Sequence, residues 1–145
     1  MSDLEILNDF HLKVEIAIPW VDMDIYGHVN NANYFRYFET SRVKYLEETG
    51  IYGYYETHGW AGVLSRASCH FLIPVSYPDV ITVGARVTEI GRDTIAMEHF
   101  ITSPKSGLCA FGESEIVLFD FRLGKKMDVP GFVKEAIEKF ENTSF

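Results

Sequence analysis

The sequence is short of cysteine, of positive charge and of long apolar runs, and each shortage argues against a class of protein. Its two cysteines, Cys69 and Cys109, lack the C-x-x-C spacing of zinc and redox motifs. We expect both to be small buried hydrophobic residues and expect no metal site. Thirteen basic against 21 acidic residues give a net charge of -8. Nucleic acids and anionic membranes bind positive faces, so this charge disfavours both as partners.

Targeting signals and cofactor motifs are also missing. Residues 1–10 carry three acidic side chains and no long apolar run, which predicts no signal peptide, no membrane insertion and a cytoplasmic protein. The sequence has no glycine-rich phosphate loop and no His/Cys cluster, so we expect no cofactor. A chain of 145 residues with 47% hydrophobic composition predicts a single domain over residues 1–145.

One stretch, residues 22–34, is dense in reactive side chains and lies directly before a helical pattern. Apolar or small residues then recur at the spacing of one helix face: Tyr34, Phe35, Phe38, Ser41, Tyr45, Leu46 and Thr49. Asn30 and Asn31 suit the N-terminal cap and Gly50 the C-terminal one, so we predict a helix from near Ala32 to Gly50. Its first-turn N–H groups and its macrodipole offer a site for an oxygen that carries negative charge.

The remaining chain has mainly strand patterns, at residues 12–18, 61–73, 80–90, 94–102 and 108–121. Short turns join the last three, which is typical of an antiparallel meander. Residues 51–60 are expected to form a loop or a short helix, and Pro130 to begin a closing helix with Val133 and Ile137 on one face. This inventory predicts an α+β fold in which a curved sheet wraps the long helix.

The run DMDIYGHVNNANYFRYFETSR, with the turn at 74–79 and the meander, resembles the hotdog-fold acyl-CoA thioesterases of the 4-hydroxybenzoyl-CoA thioesterase type. The resemblance spans residues 11–137, and its most specific part is Asp24-x-x-Gly27-His28-Val29-Asn30-Asn31, followed by Tyr34 and Glu39-x-x-Arg42. It implies a five-stranded antiparallel sheet wrapped around the helix. It also implies a homodimer or homotetramer with active sites at subunit boundaries.

The resemblance further implies a reaction and residue roles. The reaction is hydrolysis of an acyl-CoA or acyl-carrier-protein thioester, with coenzyme A as part of the substrate. By position, the catalytic carboxylate falls on Asp24, and the backbone N–H that polarises the thioester carbonyl falls at or near Asn31. The chain departs from the plant-type acyl-carrier-protein thioesterases, which have an asparagine and a glutamine where it has Tyr26 and Gly27.

The residues alone leave several roles open. As a carboxylate, Asp24 can deprotonate water or attack the thioester to form an anhydride, whereas Asp22 is expected to be a turn or capping residue. His28 is either a general acid or base or a hydrogen-bonding support for the loop. Candidates for substrate binding, which also have ordinary roles as loop, cap or core residues, are Tyr26, Asn30, Tyr34 and Phe38. Candidates for binding the phosphates of coenzyme A are Arg66, Arg86, Arg92 and Lys105.

Two further functions compete with hydrolysis. A hotdog hydratase or dehydratase is disfavoured, because Asp24 and His28 lie four residues apart without the proline usual in that class. A non-catalytic acyl-CoA binding or sensing module is the other alternative. The aromatic residues near the helix start predict that the acyl group is apolar, either aliphatic or aryl. Glu39 and Arg42, three residues apart on the helix, are predicted to form a structural ion pair.

Overall fold

The computed structural model describes residues 3–145, so the expectations for Met1 and Ser2 lie outside the described residues. Its helices are α1 (Asp3–Ile6), α2 (Asn31–Glu48), α3 (Tyr54–His58) and α4 (Gly131–Glu141), with a 3₁₀ turn at Trp20–Asp22. Its strands are β1 (Leu12–Ala17), β2 (Trp60–Phe71), β3 (Val80–Ile90), β4 (Thr94–Ser103), β5 (Gly107–Asp120) and β6 (Lys125–Lys126). Between residues 3 and 145, no helix is long and apolar enough to cross a membrane.

All six strands form one antiparallel sheet in the order β1-β3-β4-β5-β2, with the short β6 paired to the end of β5. Consecutive hairpins join β3, β4 and β5, as the meander pattern predicted. The order leaves β1 and β2 at the two edges, and α2 contacts both of them as well as β3. The sheet therefore curls around α2, which confirms the predicted α+β architecture.

Helix α2 begins and ends where its capping residues predict. The side chain of Asn30 accepts a hydrogen bond from the N–H of Ala32 at 3.0 Å, and Gly50 follows the last turn with φ of 77°. A left-handed φ of this kind favours glycine and ends a helix. The buried face of the helix comprises Tyr34, Tyr37, Phe38, Ser41, Arg42 and Tyr45.

A polar bridge inside the core joins α2 to the sheet. The imidazole of His99 on β4 is fully buried, with Nδ1 at 3.0 Å from Ser41 Oγ on α2 and Nε2 at 2.8 Å from Ser114 Oγ on β5. The ring of Phe38 stacks on it at a centroid distance of 5.0 Å. Burial, with a smaller effect of the Arg42 charge, lowers the pKa of His99 to about 3. The bridge is therefore neutral near pH 7.

The C-terminal helix α4 lies near the C-terminal end of α2, far from the helix start. Glu141 Oε2 accepts hydrogen bonds from the Tyr45 hydroxyl at 2.7 Å and from the Val87 N–H at 3.0 Å. Val87 lies at a bulge in β3, where the regular ladder to β4 shifts. The carboxylate thus ties α4 to both the central helix and the sheet, and Val133 and Ile137 are buried as predicted.

Several boundaries differ from the sequence prediction for local reasons. Strand β2 ends at Phe71 and not at residue 73, because the N–H groups of Leu72 and Ile73 both turn to Cys109 O at 2.8 and 3.0 Å. The unpredicted elements α1, β6 and the 3₁₀ turn are too short to show a period. Cys109 is buried as predicted, whereas Cys69 is only partly buried.

The predicted ion pair between Glu39 and Arg42 does not form. Within the described part of the chain, no salt bridge joins the two side chains. Arg42 is buried on the inner face of α2, whereas Glu39 is exposed. Burial lowers the pKa of Arg42, and the charge of Glu39 acts only at longer range to raise it.

Replacing the buried imidazole tests the polar bridge. The pKa of His99 lies below its ordinary 6.5, so its contribution to stability is complete above pH 6.5 and falls as the pH drops towards 3. In urea unfolding at several pH values, the wild type should lose stability between pH 6.5 and 4.5 more steeply than His99→Gln. Parallel stability curves for the two proteins would contradict a buried neutral histidine.

Candidate active site

The loop between the 3₁₀ turn and α2 is held mainly by its own backbone. Met23 and Val29 form an isolated antiparallel bridge, and the N–H of Asp24 donates to His28 O at 2.8 Å. Within the bridge, Gly27 N donates to Asp24 O at 3.1 Å and adopts φ of 78°. The left-handed turn explains the glycine, since a side chain would strain it. The result is a closed turn that presents the side chain of Asp24.

A second segment, residues 74–79, supports this loop from the side. Val29 N donates to Val75 O at 2.8 Å, and Ser76 Oγ donates to Gly27 O at 2.9 Å. The N–H of Val75 in turn donates to the hydroxyl of Tyr34 on α2 at 3.3 Å. Loop, supporting segment and helix are therefore connected in a ring of hydrogen bonds.

Asp22 is the anchor that fixes the loop to the helix. Its buried carboxylate accepts hydrogen bonds from the Tyr37 hydroxyl at 2.7 Å and from the guanidinium of Arg36, with which it forms a salt bridge. Burial acts to raise the pKa of Asp22, but these two hydrogen bonds and the Arg36 charge lower it overall. Its carbonyl accepts from Asn30 N and Asn33 Nδ2, each at 3.0 Å. Asp22 thus has a structural role, but its carboxylate binds side chains of α2 and not a backbone N–H of the turn, as the expected turn or capping role would require.

Asp24 is oriented differently and remains accessible. One carboxylate oxygen, Oδ1, accepts the N–H of Tyr26 at 2.9 Å, which fixes the side chain in an Asx turn. Among the described residues, no other hydrogen bond to this carboxylate is formed. The second oxygen is consequently available to a water molecule or a substrate.

The start of α2 offers one donor without a partner. The side chain of Asn30 caps the N–H of Ala32, and the carbonyl of Asn30 accepts from Asn33 N at 3.0 Å. Within residues 3–145, the N–H of Asn31 has no protein acceptor. The first turn carries no acidic residue, so the positive end of the helix dipole is not neutralised locally.

These groups meet in one cavity of about 440 Å³, which we call the helix-start cavity. Its lining includes most of the predicted site residues and the segment that follows β2: Asp24, Tyr26, His28, Val29, Asn30, Asn31, Tyr34, Phe71, Leu72, Ile73 and Pro74. Phe38, predicted as a possible substrate contact, does not line it, because its ring is buried against His99.

His28 faces the same cavity, but its ring does not support the loop. The backbone carbonyl of His28 holds Asp24 N, whereas the exposed imidazole makes no hydrogen bond to any described residue. Within the described residues, no contact therefore supports the predicted role of the His28 side chain in holding the loop. The ring is free to meet a ligand.

Sequence reasoning missed three features of the site. It did not find Arg36 and Tyr37 as partners of Asp22, although their places on the first turns of the helix carry that information. It also did not place the apolar segment after β2 beside the cavity. Contacts between residues distant in sequence bring that segment there, namely those of Val75 with Val29 and Tyr34 and of Ser76 with Gly27.

The four basic candidates for phosphate binding are engaged in the single chain. Arg66 pairs with Glu115 at 3.4 Å, Arg86 with Glu98 at 3.1 Å and Arg92 with Asp128 at 3.5 Å; the ammonium of Lys105 donates to Pro78 O. Of these, Lys105 contacts the segment that supports the site loop. Within the described residues, no cluster of three His, Cys, Asp or Glu residues is arranged to hold a metal.

Comparison with known proteins places this arrangement in a wider group. Residues 18–137 match the family model of the Thioesterase-like superfamily. The chain is 22% identical over 129 residues to the long-chain acyl-CoA thioesterase FadM of Escherichia coli (strain K12). This match covers 88% of the chain and 98% of FadM. It is 32% identical over 96 residues to the chloroplastic acyl-acyl carrier protein thioesterase ATL3 of Arabidopsis thaliana, covering 66% of this chain and 50% of the relative.

Solved structures show the same fold. A thioesterase from Thermus thermophilus, complexed with coenzyme A and Zn, superposes with a TM-score of 0.83 at 28% sequence identity. The superposition covers 94% of this chain and 98% of that chain. The likeness therefore includes the loop, the central helix and the sheet.

The different roles of the two aspartates can be separated by stability measurements. Asp22→Asn removes a charge from two hydrogen bonds at a buried carboxylate, and we expect it to lower the free energy of unfolding by about 2–3 kcal/mol. Asp24→Asn removes only one partly exposed contact, so a loss below about 1 kcal/mol is expected. Urea unfolding at pH 7 measures both. Equal losses would show that Asp22 does not anchor the loop.

Proposed function

The chain belongs to the Thioesterase-like superfamily and is a thioester hydrolase; from that premise we propose that it hydrolyses acyl-CoA thioesters at the helix-start cavity. In this proposal Asp24 is the general base or nucleophile, and the Asn31 N–H binds the oxygen that becomes negative. The observation that carries it is that an accessible carboxylate and an unpartnered helix-start N–H line the same cavity.

The two groups suit the two needs of thioester hydrolysis. The thioester carbonyl oxygen gains charge in the transition state, and a preorganised donor at that position typically contributes about two to three orders of magnitude in rate. The Asn31 N–H is preorganised, because Asn30 fixes the first turn around it. Asp24 is held by the Tyr26 N–H through one oxygen, which leaves the other to act on the carbonyl carbon or on water.

Two balanced routes remain for Asp24. As a base, it takes a proton from water while the water oxygen attacks the carbonyl carbon; the tetrahedral intermediate then expels the thiolate, which recovers the proton. As a nucleophile, it attacks the carbon itself, expels the thiolate and forms an anhydride that water hydrolyses. Single-turnover hydrolysis in ¹⁸O-labelled water tests the anhydride route: label found on Asp24 demonstrates an anhydride that water attacks at the Asp24 carboxyl carbon.

The acyl group is proposed to be apolar. The apolar part of the lining of the helix-start cavity includes Tyr34, Phe71, Leu72 and Ile73. Burial of a chain against such a lining is worth roughly 0.8 kcal/mol per methylene. The names of the relatives, a long-chain acyl-CoA thioesterase and an acyl-acyl carrier protein thioesterase, support an aliphatic group on either carrier.

We also propose that the working unit is at least a homodimer. Strand β2 is an edge strand of 12 residues whose side chains are largely exposed on both faces. A long exposed edge with apolar residues such as Val63 and Leu64 favours pairing with another strand. A second copy of β2 provides a partner of the same length, by two-fold symmetry.

Asp24→Asn tests the assigned chemistry. The amide cannot accept a proton or attack the carbonyl, so we expect kcat/KM for hexanoyl-CoA to fall by at least about 100-fold, with the fold retained. Asp128→Asn, an exposed aspartate paired with Arg92, is the control and should keep full activity. Thiol release is measured with a chromogenic thiol reagent. Substrate binding without turnover in the wild type would favour the sensing module, and an active Asp24→Asn would mean that another residue performs the chemistry.

Light scattering tests the dimer. Pairing β2 of one copy with β2 of a second copy covers the exposed edge of both sheets. The expected mass at micromolar concentration is therefore at least twice that of the 16.6 kDa chain. Dilution should not shift this mass while activity remains. A stable and active monomer would rule out a shared site between copies.

A further inference from the structure

We propose that the hairpin between β5 and β6 docks the protein on the surface of an anionic lipid bilayer. The docking segment is residues 121–126, which we call the basic hairpin. The contact is peripheral: basic side chains meet the lipid headgroups, and two apolar side chains enter the headgroup layer. This inference goes beyond the proposed function and depends neither on Asp24 nor on the helix-start cavity.

The basic hairpin is the densest positive segment of an acidic chain. Arg122, Lys125 and Lys126 place three of the 13 basic residues within five positions, and no other window of five positions holds more than two. Ten basic residues are left against 21 acidic residues in the rest of the chain. All of residues 121–126 are exposed. The molecule therefore presents one small positive segment on an acidic body.

The positive charges of this hairpin are not neutralised by the chain itself. Within the described residues, the ammonium groups of Lys125 and Lys126 form no salt bridge and no hydrogen bond. Arg122 donates only to a neutral acceptor, Thr57 O, at 3.4 Å. Several other arginines are each paired with an acidic side chain: Arg36, Arg66, Arg86 and Arg92. The charges of the basic hairpin are consequently available to an anion outside the chain.

Apolar side chains stand among these basic residues. Leu123 is 68% exposed, and Phe121 is 49% exposed with its ring against that of Tyr55 at a centroid distance of 5.3 Å. A free phosphate group, such as those of coenzyme A, would contact the charges and leave Leu123 in water. A bilayer surface accommodates both kinds of side chain, because basic groups contact the headgroups while apolar groups enter the layer beneath. This combination favours a bilayer over a soluble anion.

The backbone of the basic hairpin is already fixed in the free protein. Asp120 Oδ1 accepts the N–H groups of Arg122 and Leu123 at 2.9 and 3.1 Å, and Asp120 O accepts the N–H of Gly124 at 2.8 Å. Gly124 has the left-handed φ of 67° that this turn requires. Lys125 then pairs with Asp120 in the ladder between β5 and β6. Docking therefore orders little backbone, which reduces its entropic cost.

The net charge of -8 sets the orientation of the docked protein. Exposed charges are screened beyond about 8 Å at physiological ionic strength, so the basic hairpin acts fully at the headgroups while the more distant acidic surface is largely screened. Any orientation that brings the acidic surface to an anionic bilayer is repelled. Each basic residue near such a surface contributes about fivefold in affinity. The expected binding is thus oriented, reversible and strongly dependent on salt.

Co-sedimentation with vesicles tests the docking. The vesicles contain phosphatidylcholine and phosphatidylglycerol at about two to one, in about 0.1 M salt. Wild-type affinity should fall at least about tenfold on pure phosphatidylcholine vesicles or in about 0.5 M salt. Lys125→Glu/Lys126→Glu should weaken binding to the anionic vesicles at least about tenfold, because it reverses two of the three charges. Leu123→Ser should weaken it at least about threefold, because it removes an apolar contact.

Lys13→Glu/Lys139→Glu is the matched control, since it changes the net charge equally at two exposed lysines outside the basic hairpin. It should bind the anionic vesicles within about twofold of the wild type. Urea unfolding shows that each variant is folded, and hexanoyl-CoA hydrolysis without vesicles should be unchanged in all of them. Docking fails separately from the proposed chemistry.

Three results would overturn the docking. The first is wild-type binding to anionic vesicles no stronger than to pure phosphatidylcholine. The second is an equal loss in the control and in Lys125→Glu/Lys126→Glu. The third is binding that survives Leu123→Ser and is displaced by free coenzyme A, which would make the basic hairpin a site for soluble phosphates.

Discussion

The buried carboxylate of Asp22 fixes the geometry on which the rest of the site depends. It connects the loop at residues 23–30 to the second turn of the central helix through Arg36 and Tyr37, and its own carbonyl holds the helix cap, Asn30, and Asn33 in the first turn. A charged group is costly to bury unless it is paired and hydrogen-bonded, and Asp22 meets both conditions. Its neighbour two residues on, Asp24, can therefore remain accessible without the loop moving.

The second constraint is the exposure of the first-turn N–H groups. A helix start normally has its free donors satisfied by side chains or water, and here Asn30 satisfies part of the turn while Asn31 is left to face a cavity. The curled sheet brings the end of β2 and the segment after it to this cavity, where Phe71 meets the ring of Tyr34. Fold and site thus depend on the same relation between α2 and an edge strand.

The sequence was sufficient for the local elements and insufficient for contacts distant along the chain. Helical spacing, the Asn30 cap and Gly50 predicted α2 closely, and alternation predicted the five long strands. His99 could not be recognised as a core residue, because an imidazole on a strand has no sequence signal for the two serines that pair with it. Arg42 was assigned to Glu39 by spacing, but its side chain turns inward instead. The family resemblance predicted that Asp24 and Asn31 belong to one site. The apolar segment after β2 could not be predicted there, because the pairing of Val29 with Val75 is visible only in the structure.

Main-chain hydrogen bonds hold the site loop, so the side chains at its tip can vary. The bridge between Met23 and Val29 and the bond from Asp24 N to His28 O hold the turn without help from the side chains of Ile25 and Tyr26, although Gly27 is needed for its left-handed φ. Ile25 and Tyr26, at the tip, are almost fully solvated. Substitutions at the tip are thus nearly neutral for folding and for the position of the carboxylate. The rim of the helix-start cavity can therefore change at Tyr26 while Asp24 keeps its place, since the backbone and not the tip side chains holds the turn.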